Sequence, residues 1–452
     1  MYLTQLYTPG LAHLSYVIAG TKECIVIDPS RDVDRYFKVA EDYGMPITTV
    51  IETHLHADFV SGHVELAHRA GARIYMSKTA NAAFPHVALS DGEQFEIDNL
   101  RFVMLDTPGH TPEGSMFIVS DLSRGDEPAL MFSGDTLLVG DVGRPDLFPD
   151  IKRELAEKLY NSLRRLKQFG PHVEVYPAHG AGSLCGRALS AKLSTTLGTE
   201  QMYNYALKID SLSEFIEALL QGMPEAPDHF SRCSEINRRG PVYTGELAPP
   251  RPLTPLEFHK AATEHVIVDC RDQLAFAGAH VPGSYSLSLR GNFATFSGWV
   301  LPPEKSALLV TETEEQIHEA LVGLRRVGID NVVGYLKGGM TAWANSGLEA
   351  AHLDSISIPR LREAAQGSDV AVIDTRLASE WESGHIEGAV HIPAPDLRHH
   401  DVPSARKLMV ICSTGNRSIL AASLLKQRGY HNVVNVIGGM TAWQAAGYPQ
   451  VK

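Results

Sequence analysis

The 452-residue chain predicts an α/β multidomain protein, on three observations. Its length is that of about three domains. Apolar runs of strand character, among them Arg101-Phe102-Val103-Met104-Leu105 and Ala129-Leu130-Met131-Phe132, alternate with stretches such as Ile151 to Phe169 and Ser211 to Leu220, whose apolar spacing is helical. Beyond residue 253 the chain repeats itself at a period of about 100 residues, too long for a solenoid unit, which marks a duplicated domain.

Composition narrows the function classes. An apolar fraction of 44% and a charged fraction of 21% are those of a soluble globular protein able to bury sizeable cores. The formal net charge of -13, with no basic patch, argues against a nucleic-acid surface and speaks for solubility. Met1 to Tyr7 lacks the basic start and apolar core of a signal peptide, and no run reaches the length of a membrane span, so no membrane association and a cytoplasmic location are expected. Five cysteines (Cys24, Cys185, Cys233, Cys270, Cys412) are few, odd in number and widely spaced, which suits free thiols in a reducing compartment rather than a disulfide framework.

The first part of the chain carries a metal-site pattern. Thr53-His54-Leu55-His56-Ala57-Asp58-Phe59 places His at i and i+2, which on an extended segment project to one side. His110 in Thr107-Pro108-Gly109-His110 and Asp135 in Ser133-Gly134-Asp135-Thr136 each follow an apolar run that reads as a buried strand. Imidazole and carboxylate on loops at strand ends are the donor types of a catalytic transition-metal site. One His alone would be read as a surface residue; three segments supplying such groups would not.

In order, His-x-His-x-Asp, Pro-Gly-His-Thr, Gly-Asp and Pro-Ala-His179 are similar to the metallo-β-lactamase superfamily, which implies an αββα sandwich. Hydrolases of that superfamily usually carry His immediately after the Asp. Here Phe59 stands there, and a phenyl ring cannot ligate, which favours one ion over a dinuclear zinc centre. With Gly134-Asp135-Thr136-Leu137 and Asp141-Val142-Gly143-Arg144-Pro145-Asp146, the pattern resembles the persulfide dioxygenases. That resemblance implies one Fe(II) held by His54, His110 and Asp135, a facial set with open positions for turnover, with Zn as the alternative metal. His56, Asp58 and His179 are then residues that orient ligands or bound substrate, or the remains of a second site and so alternative ligands. Cys185, a few residues past His179, is either a sulfur relay or a small buried apolar thiol. Arg144 either pairs with an acidic thiol carrier or holds its own loop by a salt bridge.

Gly240 to Pro252 has too much Pro and Gly for regular structure and reads as a linker. The boundaries expected are a metal-bearing domain over 1–240, a linker over 241–253, a first repeat copy over 254–350 and a second over 351–452. In the copies Val266-Ile267-Val268-Asp269-Cys270-Arg271 matches Ala371-Val372-Ile373-Asp374-Thr375-Arg376, and Gly338 to Trp343 recurs unchanged at Gly438 to Trp443. Strand-like runs alternating with helical stretches such as Ser418 to Arg428 predict a largely parallel sheet in each copy.

The copies part at one loop. In the second, the strand pattern Lys407 to Ile411 leads into Cys412-Ser413-Thr414-Gly415-Asn416-Arg417-Ser418 and a helix. A Cys on a tight loop at a helix start is surrounded by backbone N–H groups that favour the thiolate. Together with Asp374-x-Arg376 and His385-x-x-Gly388-Ala389, the loop resembles the rhodanese sulfurtransferases, in which the Cys carries a persulfide. Phosphatases of the same general fold are the competing reading. Arg417 lies five positions after Cys412, the shorter loop of sulfur transfer, whereas the phosphatases have one residue more. In the first copy Thr311 stands opposite Cys412 and Gln316 opposite Arg417, so that copy is expected to be an inactive docking or structural domain.

The resemblances thus imply oxidation of a low-molecular-weight thiol persulfide by O2 to sulfite and thiol. Arg417 and the loop Ser413, Thr414, Gly415, Asn416 and Ser418 would then place sulfite for attack on a Cys412 persulfide, giving thiosulfate. A zinc thioester or lactam hydrolase, and a sulfur-sensing or scaffolding protein, are the other readings. The sequence is compatible with a homo-oligomer and leaves the persulfide-carrying thiol open.

Overall fold

The computed structural model describes residues 1–187, 189–223, 226–367 and 369–452. It divides into two compact units, residues 1–247 with 325–328 and residues 248–324 with 329–452.

The first unit is a sandwich of two six-stranded sheets. One runs in chain order through β1 (Tyr2–Thr8), β2 (His13–Ala19), β3 (Cys24–Ile27), β4 (Ile47–Ile51), β5 (Arg73–Ser77) and β6 (Val87–Leu89). The other comprises β7 (Gln94–Ile97), β8 (Leu100–Asp106), β9 (Ser115–Asp121), β10 (Leu130–Gly134), β11 (Glu174–Pro177) and β12 (Thr195–Thr196). Strand β2 is buried on both faces, and its period-2 alternation explains how. Leu14, Tyr16 and Ile18 point between the sheets and meet Phe102, Met104, Phe117 and Phe132. Val17 and Ala19 point outward against Tyr36, Ala40 and Leu66 of the helices Asp34–Tyr43 and His63–Ala70. The second sheet is covered the same way, Met116, Ile118 and Met131 packing on Leu159, Leu163, Phe215 and Leu219 of the helices Lys152–Arg165 and Leu212–Leu220. Helix on sheet on sheet on helix is therefore the layer order, as the resemblance implied.

Strands β8 and β10 are both antiparallel to β9, and β11 is parallel to β10, so their C-terminal ends share one edge of the sandwich. That edge receives the functional loops. The expected helix from Ile151 to Phe169 is α-helical over Lys152–Arg165 and tightens to a 3-10 turn at Leu166–Gln168. The helix expected from Ser211 begins at Leu212, with the Ser211 hydroxyl accepting from the Glu214 amide as its cap.

The second unit holds two five-stranded parallel sheets with the same topology. With β13 (Arg251–Leu253), β14 (Val266–Asp269), β15 (Ser284–Ser286), β16 (Ala307–Val310) and β17 (Val332–Leu336), the first is ordered β13-β17-β16-β14-β15. With β18 (Ser355–Ile356), β19 (Val370–Asp374), β20 (Val390–His391), β21 (Lys407–Ile411) and β22 (Val433–Val436), the second is ordered β18-β22-β21-β19-β20. Side-chain bonding repeats as well: Arg271 clamps Asp269 and donates to the Ala279 carbonyl at 2.7 Å, and Arg376 clamps Asp374 and donates to the Gly384 carbonyl at 2.8 Å.

One expectation needs correcting. The Pro-rich stretch is not without regular structure, because Arg251 and Pro252 enter β13, parallel to β17. A proline is tolerated there because β13 is the edge strand, where the missing N–H leaves no ladder bond unmade. Thr244–Glu246 forms a 3-10 turn. The expected helix from Ser418 starts earlier, at Asn416, and runs to Gln427. No helix among the described residues is long and apolar enough to cross a membrane.

Candidate functional site

His54 follows β4, His110 follows β8 and Asp135 follows β10, and the three donor atoms lie within 4.8 Å of one another in a fully buried setting. The hydrogen bonds around them define which nitrogen faces inward. Thr53 Oγ1 donates to Asp28 at 2.8 Å and so accepts from His54 Nδ1 at 3.0 Å, leaving the lone pair of His54 on Nε2. His110 Nδ1 donates to the Arg144 carbonyl at 2.9 Å, which does the same for its Nε2. Both Nε2 atoms are buried without a hydrogen-bond partner among the described residues, 3.7 and 3.3 Å from Asp135 Oδ2. Burial holds both imidazoles below the ordinary histidine range, hence neutral. Two inward lone pairs and a carboxylate fit a metal ion, whose bonds would replace the missing hydrogen bonds.

His179, after β11, behaves differently. Its Nδ1 is 2.8 Å from both oxygens of Asp135 and its Nε2 is 2.9 Å from Asp58. Burial alone would lower its pKa, but the flanking carboxylates of Asp135 and Asp58 outweigh that and raise it well above the usual value. It is an imidazolium bridging two carboxylates, with neither nitrogen free for a cation. Among the described residues His56 makes no hydrogen bond through either nitrogen; Nε2 lies 3.4 Å from Asp28 and 3.8 Å from Glu52. His56, Asp58 and His179 also bring donor atoms within 4.8 Å, but the position that would complete a second centre is filled by Phe59, whose ring centroid is 4.4 Å from that of His56 and 4.2 Å from that of His13.

Arg144 is 2% exposed, bonds Asp146 through both forks at 2.7 and 2.8 Å, and donates to the Leu184 carbonyl. Of the two alternatives for Arg144, the loop brace is the one these bonds describe, and the Arg144 backbone carbonyl orients His110. Cys185 does reach the site, its sulfur grouped with Asp135 and His179, but it is 1% exposed and burial pushes its thiol up to about 12. It sits there as a thiol.

Sequence reasoning missed three contributors. His13 is buried at the start of β2 and bridges to the His179 strand through Leu14 N to Ala178 O at 2.7 Å. Asp28, at the end of β3, fixes the ligand loop by accepting from Thr53 N at 2.7 Å. Glu52 lies 3.3 Å from His63, and burial, reinforced by Asp28, raises its carboxyl well above the carboxylate range. Only the Asp of Ile-Asp-Pro after an apolar run offered a sequence signal, as another polar residue at a strand end.

In the second unit Cys412 follows β21, with the Gly415 amide donating to its Sγ at 3.1 Å and the Ser418 hydroxyl 3.6 Å away. Ser418 Oγ is itself held by Asn435 at 2.7 Å. Arg417 does not stand free at the loop: its guanidinium pairs with both oxygens of Glu380, one at 2.8 Å, and meets Ser413 Oγ at 2.9 Å. Glu380 was not foreseen; the guanidinium and Ser413 hold its carboxyl at about 2, against a burial effect in the other direction. In the first copy Thr311 Oγ1 donates to the Thr313 carbonyl and Gln316 accepts from the Glu312 amide, so the equivalent groups only brace their own loop.

Residues 8–179 match the metallo-beta-lactamase superfamily, and residues 254–346 and 357–446 each match the rhodanese-like domain. A crystal structure described as a metallo-beta-lactamase from Staphylococcus aureus superposes with a TM-score of 0.68 at 30% identity, covering 75% of this chain and 99% of that one. A mitochondrial persulfide dioxygenase of Bos taurus is 27% identical over 248 residues, 54% of this chain and 89% of that protein. A hydroxyacylglutathione hydrolase of Pseudomonas entomophila is 30% identical over 160 residues, 35% of this chain and 58% of that protein. The chain belongs to the metallo-beta-lactamase superfamily, as a member whose metal-binding fold is followed by two rhodanese-like domains.

Proposed function

We propose that the chain is a non-haem iron persulfide dioxygenase coupled to a sulfurtransferase, active in sulfide detoxification, with 1–240 as the oxidising domain, 254–350 as an inactive rhodanese-like domain and 351–452 as the transferring one. The observation carrying this reading is the pair of orphaned His54 and His110 lone pairs facing Asp135, beside a position where Phe59 supplies no fourth histidine. His54, His110 and Asp135 would hold one Fe(II), which when bound supplies the redox chemistry that lets O2 react with a sulfur anion. The overall change, R–S–SH + O2 + H2O to R–SH + sulfite + 2 H⁺, oxidises the terminal sulfur by four electrons and reduces O2 by the same number. The chain's own residues prepare the site: Thr53 and the Arg144 carbonyl orient the two imidazoles, and His179, hydrogen-bonded between Asp58 and Asp135, orients the Asp135 carboxylate.

At Cys412, a sulfane sulfur is carried as Cys–S–S⁻. The sulfite lone pair attacks the terminal sulfur, the S–S bond breaks, and its electron pair returns to Cys412 Sγ, where the Gly415 N–H receives it. Thiosulfate leaves.

A zinc hydrolase is the second reading, favoured by the hydroxyacylglutathione hydrolase relative; its second ion would need His179 to exchange its hydrogen bond to Asp58 for the metal beside His56 and Asp58. Metal analysis of anaerobically purified protein, with oxygen uptake on a panel of persulfides, separates the two. One iron per chain with persulfide-dependent uptake is expected; two zinc ions with thioester hydrolysis and no such uptake would overturn the dioxygenase reading.

Two variants probe the supporting framework. A Cβ at Gly143 would collide with the Asp135 carbonyl and lie 2.9 Å from His110 Cβ, so Gly143→Ala forces two ligand loops apart. Metal affinity should drop roughly 10- to 100-fold, read by competition with a chelator. Thr311→Ala should leave thiosulfate:cyanide transfer unchanged, since Thr311 only braces its own turn; a transfer defect in soluble, folded protein would contradict the inactive-domain reading.

A further inference from the structure

We propose that Gln273, in the copy without a nucleophile, is a specificity-determining residue for the sulfur anion that reacts at Cys412. This rests on the transfer reading above. The two copies pack within one unit: Phe276 and Ala277 of the helix Gln273–Gly278 lie in the same apolar cluster as Ile373, Val410 and Ile419 of the second copy. The Ser286 amide donates to Ser423 Oγ at 3.2 Å, tying β15 to the helix that follows the Cys412 loop.

That packing lays the Gln273 carboxamide on the loop itself. Gly415 has φ +117°, in the region that favours glycine, and a Cβ there would also collide with Gln273 Oε1 and lie 3.2 Å from its Cδ. Gly415 thus has the Cys412 sulfur on its amide and the other copy's carboxamide against its α-carbon. The Gln273 side chain is half-buried and makes no hydrogen bond among the described residues, so its N–H groups are free to donate. The loop's own cation is already matched, because Glu380 pairs with Arg417. A neutral amide at Gly415, whose Nε2 would lie 3.4 Å from a Cβ there, suits a small sulfur anion such as thiosulfate or sulfite, and a carboxylate in its place would repel one. The copy with Thr311 and Gln316 in place of Cys and Arg thus takes part in the transfer by completing its partner copy's site.

The test is steady-state thiosulfate:cyanide transfer by the full chain, in which the Cys412 thiolate takes the sulfane sulfur with release of sulfite and cyanide then removes it as thiocyanate. Gln273→Glu should raise KM for thiosulfate roughly tenfold, with kcat changed by no more than about twofold, and the increase should shrink at high salt. Gln273→Ala, which adds no charge, should raise KM by about two- to threefold and covers the case of a poorly folding Glu variant. Thermal melts of both should match the unmodified protein, since the half-buried side chain makes no hydrogen bond among the described residues that the variants would remove. A thiosulfate KM unchanged in both variants, or a KM increase insensitive to salt, overturns the proposal while leaving transfer at Cys412 in place. If the unmodified chain transfers no sulfur to cyanide, the transfer reading falls first and this inference falls with it.

Discussion

Asp135→Ala is expected to purify with less than about a tenth of the iron of the unmodified chain and to lose persulfide-dependent oxygen uptake. The carboxylate supplies the only negative charge among His54, His110 and Asp135, so without it a divalent ion would rest on two neutral imidazoles in a buried site. The same carboxylate holds His179 at 2.8 Å through both oxygens. Its removal leaves the imidazolium facing Asp58 alone, and breaking a buried pair in this way costs about 3–5 kcal/mol. The first domain should therefore melt earlier as well. Elemental analysis, an oxygen electrode and a thermal melt check the three parts, with thiosulfate:cyanide transfer at Cys412 as an internal measure of folded protein. A variant that keeps its iron and its oxygen uptake would remove Asp135 from the ligand set.

The convergence of His54, His110 and Asp135 and the Cys412 loop were legible because each sits inside a short local signature. His54, His110 and Asp135 follow apolar runs that fold as β4, β8 and β10, and strand ends are where a sandwich exposes loops. Cys412 stands between a buried strand and a helix, and its partners Gly415 and Ser418 lie three and six positions along the chain. What the sequence hid are groups whose meaning depends on distant packing. His13 faces Phe59 and His179 only because β2 lies beside β11's loop, and Gln273 reaches Gly415 only because one copy docks on the other. Glu380, on the helix Ala378–Ser383, reads as an ordinary solvated acid until the fold sets it against Arg417. Arg144 was ambiguous for the opposite reason: an Arg in a Gly-Pro loop suits a ligand contact or a brace equally, and its burial against Asp146 is a property of the folded loop. The edge position of β13, which lets Pro252 enter a strand, is likewise a property of the sheet order.

Cys412→Ser should abolish sulfur transfer while sparing oxygen uptake. A seryl hydroxyl keeps nearly the same size in a pocket shaped by Gly415 and Ser418, so the domain should fold, but oxygen cannot form the persulfide that carries the sulfur. The proposed iron ligands lie in the other unit and on other strands, so the proposed oxidation of the persulfide should continue. The product ratio is then the decisive reading. Given excess persulfide, the unmodified chain should convert much of its sulfite to thiosulfate, whereas the variant should accumulate sulfite for the same oxygen consumed. Chromatography of both anions after matched oxygen uptake, with non-enzymatic thiosulfate subtracted, makes the comparison. Thiosulfate formed by the variant at the original rate would show that Cys412 is not the coupling step. Cys185 would then be the next candidate, although as a buried thiol pushed up to about 12 it would have to be deprotonated before it could accept sulfur.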